Sequence, residues 1–168
     1  MEFERCCFTG HRRLAPPLLP ALREQLDTTL LALYNAGCRH FYAGGAMGFD
    51  TLAAERTLLL RNAYPSLALH LLLPCRGQTG GWPAEELFRY ETILAQCDSY
   101  QYVSAQYSPS AMATRNHALV AHADVCVAFL QQETSGTGQT VRAAKRAGLT
   151  VINLADRLPA NQTSEVTL

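Results

Sequence analysis

Short apolar runs at residues 3–9, 40–43, 67–73, 99–103, 124–130 and 150–154 alternate with longer segments whose apolar positions recur every three or four residues. A short apolar run suits a strand, whereas the longer spacing suits one face of a helix. Residues 17–36 show the helical pattern most clearly. Leu19, Leu22, Leu26, Leu30 and Leu33 form one stripe, and Gly37 is placed to end it. Further helices are predicted at 50–62, 83–97, 110–122 and 137–147, with Pro83 suited to a first turn and Gly148 to a stop. The run at 67–73 is almost continuously apolar, as a strand covered on both faces requires. Strands separated by helices pair in parallel, because a parallel neighbour needs a crossover connection. The pattern therefore predicts an α/β fold with a mostly parallel sheet of about six strands and helices on both faces. It leaves the order of the strands open.

At 168 residues the chain suits one domain, predicted over 1–158, followed by a polar tail at 159–168. Acidic and basic residues balance at 14 each, which argues against a broad electrostatic grip on duplex nucleic acid or an anionic membrane. Nucleic acid is accordingly not an expected partner. No apolar run approaches the ~20 residues that span a bilayer. The opening Met1-Glu2-Phe3-Glu4-Arg5 carries acids where a signal peptide carries bases, so the expected location is cytoplasmic. The six cysteines form no C-x-x-C pair and have no histidines at zinc-ligand spacing, so no metal site is expected. They read as small core hydrophobes, except that Cys75 beside Arg76 is a candidate for a lowered thiol pKa.

Chemistry collects in the segments that follow strands. Right-handed crossovers place all of these at one edge of the sheet, where open α/β sheets bind ligands. The first segment is Thr9-Gly10-His11-Arg12 and the second runs Gly44-Gly45-Ala46-Met47-Gly48 to Asp50. The third contains Pro74, Arg76 and Gln78; the fourth leads to Arg115-Asn116; the fifth is Ser135-Gly136-Thr137 with Thr140 one turn on. Glycines after a strand let backbone N–H groups approach an anion, and the helix that follows adds its positive end. Arginine forks match phosphate oxygens. Asp50 suits a helix cap and a hydrogen bond to a ribose hydroxyl or purine amine equally well. His11 is placed either to touch a ligand or to hold its loop. Trp82 and Tyr90 suit base stacking and core packing alike. The glycines do not spell the dinucleotide fingerprint, and no Lys-Ser/Thr pair completes a phosphate-binding loop of the ATPase kind.

Taken together, Cys7-Phe8-Thr9-Gly10-His11-Arg12, the Gly44–Asp50 segment, Pro74-Cys75-Arg76-Gly77-Gln78 with Trp82, Met112-x-x-Arg115-Asn116 and Ser135-Gly136-Thr137 resemble the YpsA-like branch of the SLOG superfamily. That superfamily includes the LOG phosphoribohydrolases and the DprA/Smf DNA-processing proteins. The resemblance implies a Rossmann-like three-layer fold. It also implies a site for a nucleotide or nucleotide-derived ligand such as ADP-ribose, NAD or a nucleoside monophosphate, with no cofactor required and with a homodimer as the expected assembly. The residues so implicated are those of the five segments above, with Asp50 and Arg115 as the catalytic candidates.

Two departures bear on activity. Met112 and Arg115 fit the M-x-x-R-K motif of the LOG enzymes, but Asn116 replaces its lysine. Gly136 and Thr137 fit G-G-x-G-T-x-x-E, but Thr140 stands in place of the glutamate. Cleaving an N-glycosidic bond builds positive charge on the sugar, which a carboxylate stabilises and threonine does not. The reading that follows is a sensing or regulatory module that binds a nucleotide. The alternative is a nucleotide N-glycosidase of the phosphoribohydrolase type, with Asp50 as the substitute carboxylate.

Overall fold

The structure, a computed structural model, describes residues 2–159; residues 160–168 of the expected tail lie outside the described residues. Six strands, β1 (Arg5–Gly10), β2 (His40–Ala43), β3 (Ala68–Leu73), β4 (Ser99–Tyr102), β5 (Val125–Phe129) and β6 (Thr150–Asn153), pair in parallel throughout. Between them run α1 (Leu19–Asn35), α2 (Phe49–Ala63), α3 (Ala84–Gln96), α4 (Pro109–Ala121) and α5 (Gly136–Arg146). Each helix and strand lies within two residues of its expected ends. Three short 3-10 turns, Pro16–Leu18, Arg76–Thr79 and Leu154–Arg157, carry no periodicity long enough to predict them.

Alternation along the strands builds two cores. Cys6, Phe8, Phe41, Leu69, Leu71, Val125 and Val127 pack with the α1 stripe of Leu22, Leu26, Leu30 and Leu33, with Phe49 and Leu52 of α2, and with Tyr90 and Ile93 of α3. Their neighbours Cys7, Leu72, Cys126 and Ala128 turn to the other face and meet Leu119 and Val120 of α4 and Val141 and Ala144 of α5. Burial of such a side chain contributes roughly 1.5–3 kcal/mol, so the helices are held by what they cover. Five cysteines are buried and Cys97 is partly so, and burial pushes the Cys38 thiol up to about 12. Cys75 is fully buried like its neighbours in the sheet, so it packs as a core side chain.

The sheet order is β4-β3-β2-β1-β5-β6. From β1 the chain steps outward one strand at a time to β4. Helix α4 then carries it back across the sheet to pair β5 with the free side of β1. The direction of winding thus reverses between β1 and β5, and at such a point adjacent loops diverge and leave a crevice at the carboxyl ends of the strands.

The loops that frame this crevice are locked together by glycines. Gly48 has φ +78°, and a Cβ there would lie 2.5 Å from the Arg12 carbonyl carbon and 2.6 Å from the His11 oxygen. That same His11 oxygen accepts from the Phe49 N–H at 3.1 Å. Gly48→Ala should therefore combine left-handed strain with a backbone collision and destabilise the fold by about 2 kcal/mol or more in urea unfolding. A change within about 0.5 kcal/mol, as at an ordinary surface position, would contradict this packing.

Candidate functional site at the strand reversal

A cavity of about 360 Å³ opens where β1 and β5 diverge. One wall is the end of β1 and its loop, from Phe8 and Thr9 through Gly10, His11 and Arg12. Ala46 and Asp50 enter from the β2 side. Helix α4 supplies Met112, Arg115, Asn116 and Leu119, and the start of α5 supplies Ser135, Gly136 and Thr137.

Two opposite charges lie deep in this cleft. Arg115 is 5% exposed and Asp50 6%. Arg115 Nη1 donates to the Gly44 carbonyl, and its Nε donates to Asn116 Oδ1 at 2.8 Å. A Cβ on Gly44 would collide with the guanidinium and lie 2.9 Å from Asp50 Oδ2, so glycine is required for both side chains to settle there. Asp50 does not cap α2. Gly48 is the N-cap residue, and Asp50 Oδ2 reaches back to accept from the Ala46 N–H at 3.2 Å. Thr51 braces the same loop, its hydroxyl donating to the Ala46 carbonyl at 2.9 Å. Among the described residues, Asp50 Oδ1 and Arg115 Nη2 have no hydrogen-bond partner. Burial raises the Asp50 carboxyl above its usual range, against the pull of Arg115, the Ala46 N–H and Arg12. Burial likewise lowers Arg115, against the pull of Asp50. Each charge is thus held at a cost that its partner only partly offsets.

Facing them is the first turn of α5. Ser135 is its cap: the Oγ accepts from the Gly138 N–H at 3.1 Å and donates to the Gln132 carbonyl at 2.5 Å. The Gln139 N–H closes the first turn onto the Ser135 carbonyl. The N–H groups of Gly136 and Thr137 are left without a partner among the described residues, as the opening amides of a helix are, and both residues line the cleft. The loop before them is steadied by His11, whose Nε2 accepts from the N–H groups of Gln131 at 2.8 Å and Gln132 at 3.3 Å. Of the two roles open to it, His11 performs loop support. An Nε2 that accepts must be unprotonated, and burial lowers the His11 pKa accordingly.

Eleven of the residues expected at the site line this cleft: Thr9, Gly10, His11, Arg12, Ala46, Asp50, Arg115, Asn116, Ser135, Gly136 and Thr137. Others lie elsewhere. Gly44 supports Arg115 from behind, and Gly45, at φ +74°, packs over Leu73 and Gln78. Met47 and Gly48 line a separate groove of about 720 Å³ between the β1 loop, α1, α2 and the start of α3. Pro74 is buried, and Arg76 lies over the Tyr102 ring at 4.6 Å from its centroid. Gln78 borders a third cavity. Thr140 turns inward, its hydroxyl donating to the Gly136 carbonyl at 3.1 Å. Phe8, Met112 and Leu119 line the cleft without having been expected there as contacts. Leu119 sits one helical turn beyond Arg115, a spacing from which its place could have been read.

A parallel six-stranded sheet with its cleft at the reversal of strand order is the architecture of the Rossmann-like α/β proteins. Residues 7–148 match the YspA SLOG family, and the chain belongs to that family. A UPF0398 protein of Bacillus thuringiensis (strain Al Hakam) is 27% identical over 135 residues, covering 79% of this chain and 73% of the relative. Among solved structures, the chain is similar to DNA processing protein A from Helicobacter pylori, described for its single-stranded DNA binding mode. The TM-score is 0.62 at 22% identity, over 88% of this chain and 63% of that one. It is also similar to DprA from Streptococcus pneumoniae, with a TM-score of 0.63 at 15% identity, over 98% of this chain and 56% of that one. The chain therefore spans less than two thirds of these two structures, and at such identities the likeness shows the fold. No helix among the described residues is long and apolar enough to cross a membrane.

The His11 contacts set a pH dependence. The folded state favours the neutral imidazole, so its contribution is present above the ordinary value of 6.5 and is lost as pH falls through the lower folded value. His11→Ala should remove about 1–3 kcal/mol at neutral pH and flatten the loss of stability as pH falls below about 6.5. Urea midpoints across that range check it; an unaltered pH profile in the variant would contradict it.

Proposed function

We propose that the chain binds a nucleotide or nucleotide-derived ligand, such as a nucleoside monophosphate, ADP-ribose or NAD, in the β1/β5 cleft, and that it serves as a sensing or regulatory module. The observation that carries this reading is the opposition of the Gly136 and Thr137 amides to Arg115. A helix start with bare N–H groups favours an anion, and a buried guanidinium with a free Nη2 adds a charged donor. A phosphate there would complete both. It would also bring a ribose towards Asp50, whose Oδ1 is an unfilled acceptor for a sugar hydroxyl. A volume of about 360 Å³ lies within the usual range for small-molecule sites.

One observation favours the enzymatic alternative, an N-glycosidase related to the phosphoribohydrolases. Among the described residues Asp50 is the only carboxylate lining the cleft, and its raised pKa suits a group that gives and takes a proton. Thr140 cannot serve in its place, since its hydroxyl is committed to the helix. Binding remains the first reading because a carboxylate tied to Ala46 and balanced by Arg115 is already part of the cleft's own frame.

Thermal unfolding with AMP, ADP-ribose, NAD and a short single-stranded oligonucleotide tests these readings. A fitting nucleotide at a hundred times its Kd should add about 2.7 kcal/mol. Arg115→Met should weaken its binding by roughly 10- to 100-fold. No shift with any nucleotide at millimolar concentration would overturn the binding reading, and a shift with the oligonucleotide alone would transfer the site to nucleic acid. Release of free adenine from AMP, abolished in Asp50→Asn, would establish the enzyme instead.

A further inference from the structure

The cleft does not end at Arg12. Arg12 and Met112 also line a second cavity of about 420 Å³, whose other walls are Gly77, Gln78, Gly80, Trp82 and Tyr107. The partition between the two cavities is a contact of flexible side chains, with Arg12 Nη2 donating to Met112 Sδ at 3.8 Å. A ligand phosphate that drew the exposed Arg12 guanidinium towards α5 would loosen that partition.

The second cavity has the chemistry of a planar guest. Tyr107 is 64% exposed, so its ring contributes little to the core. Trp82 is held edge-on against Tyr90, with ring centroids 5.5 Å apart. Backbone crowding is slight: a Cβ at Gly77 would meet nothing within 4 Å, and one at Gly80 only the Gly77 carbonyl at 3.5 Å. Beneath lies Gln78, 5% exposed, with the Tyr90 hydroxyl beside it but with neither Nε2 nor Oε1 in a hydrogen bond of full geometry among the described residues. A buried amide with neither bond made is uncommon, because each unmet group keeps its full desolvation cost.

We propose that this second cavity is the nucleobase subsite of the ligand whose phosphate lies at α5. The inference rests on the phosphate reading of the first cleft and extends it to the ligand's other end. The base packs against the Trp82 and Tyr107 wall. The Gln78 amide supplies one donor and one acceptor, the pair that matches the amino group and ring nitrogen of an adenine. To reach the amide, the Arg76–Thr79 turn lifts, and Gly77, Gly80 and Gly81, the last at φ +80°, leave its backbone unobstructed.

Trp82 is the chain's only tryptophan, so its fluorescence reports on this cavity alone. The experiment compares AMP with ribose 5-phosphate, which carries the same sugar and phosphate without the base. AMP should bind more tightly and quench Trp82, while ribose 5-phosphate binds without quenching. Tyr107→Ala, at an exposed position that should not disturb folding, should weaken AMP by roughly 5- to 150-fold, the range for loss of one base-stacking ring. Gln78→Leu should also weaken AMP, while raising the unfolding temperature by removing two unmet polar atoms. Ribose 5-phosphate affinity should be the same in both variants as in the parent. Equal affinity for the two ligands, or AMP binding indifferent to Tyr107→Ala, would overturn the base subsite and leave the phosphate site standing. Binding of neither ligand would overturn both.

Discussion

Gly44 is where the cleft is made possible. Its missing side chain leaves the space in which Arg115, from the helix that crosses back over the sheet, can lay its guanidinium on the β2 loop beside Asp50. Burying an arginine and an aspartate away from water is expensive unless each finds hydrogen bonds as well as the other's charge. Here the Gly44 carbonyl, Asn116 and the Ala46 N–H supply those bonds, and they come from segments on either side of the strand reversal. Any side chain at Gly44 would displace one charge or the other, and with it the geometry that faces α5.

The same reliance on close backbone approach runs through the remaining loops. Gly10 leaves room for the Phe49 ring, Gly48 lets the β2 loop rest on the His11 and Arg12 carbonyls, and Gly138 lets the loop before α5 fold back with Glu133 over the helix start. His11 then ties the β1 loop to that last loop through two backbone N–H groups. Three strand-following segments are thereby held in register by glycine contacts, one neutral histidine and the buried Phe49 ring packed between Phe8 and Phe129. Such an arrangement fixes the positions of bare amides and charged forks before any guest arrives, which is the condition under which electrostatic recognition is strong.

Much of the scaffold was legible in the residues, and the reasons differ from element to element. The α1 leucine stripe and the apolar run of β5 announce themselves because period and burial are properties of local sequence. The strand order does not, because nothing in α4 says that β5 will return to the far side of β1; that choice is settled by packing between segments more than a hundred residues apart. At the site, glycine after a strand was a sound guide to backbone that approaches closely. Side-chain direction was not. Arg76 follows a strand as Arg12 does, yet it lies on the Tyr102 ring, and Thr140 spends its hydroxyl within its own helix. Asp50 suited a cap and a ligand contact equally, and only the fold shows its carboxylate turned back to Ala46.

The central claim is that the open amides of α5 and the buried Arg115 receive a phosphate. Amide proton and nitrogen shifts of ¹⁵N-labelled protein, followed while AMP is added, test it at the atoms concerned. The Gly136 and Thr137 resonances should move downfield and saturate together, as N–H groups do when they gain a charged acceptor. Saturable movement confined to other residues, with these two signals stationary, would contradict the account.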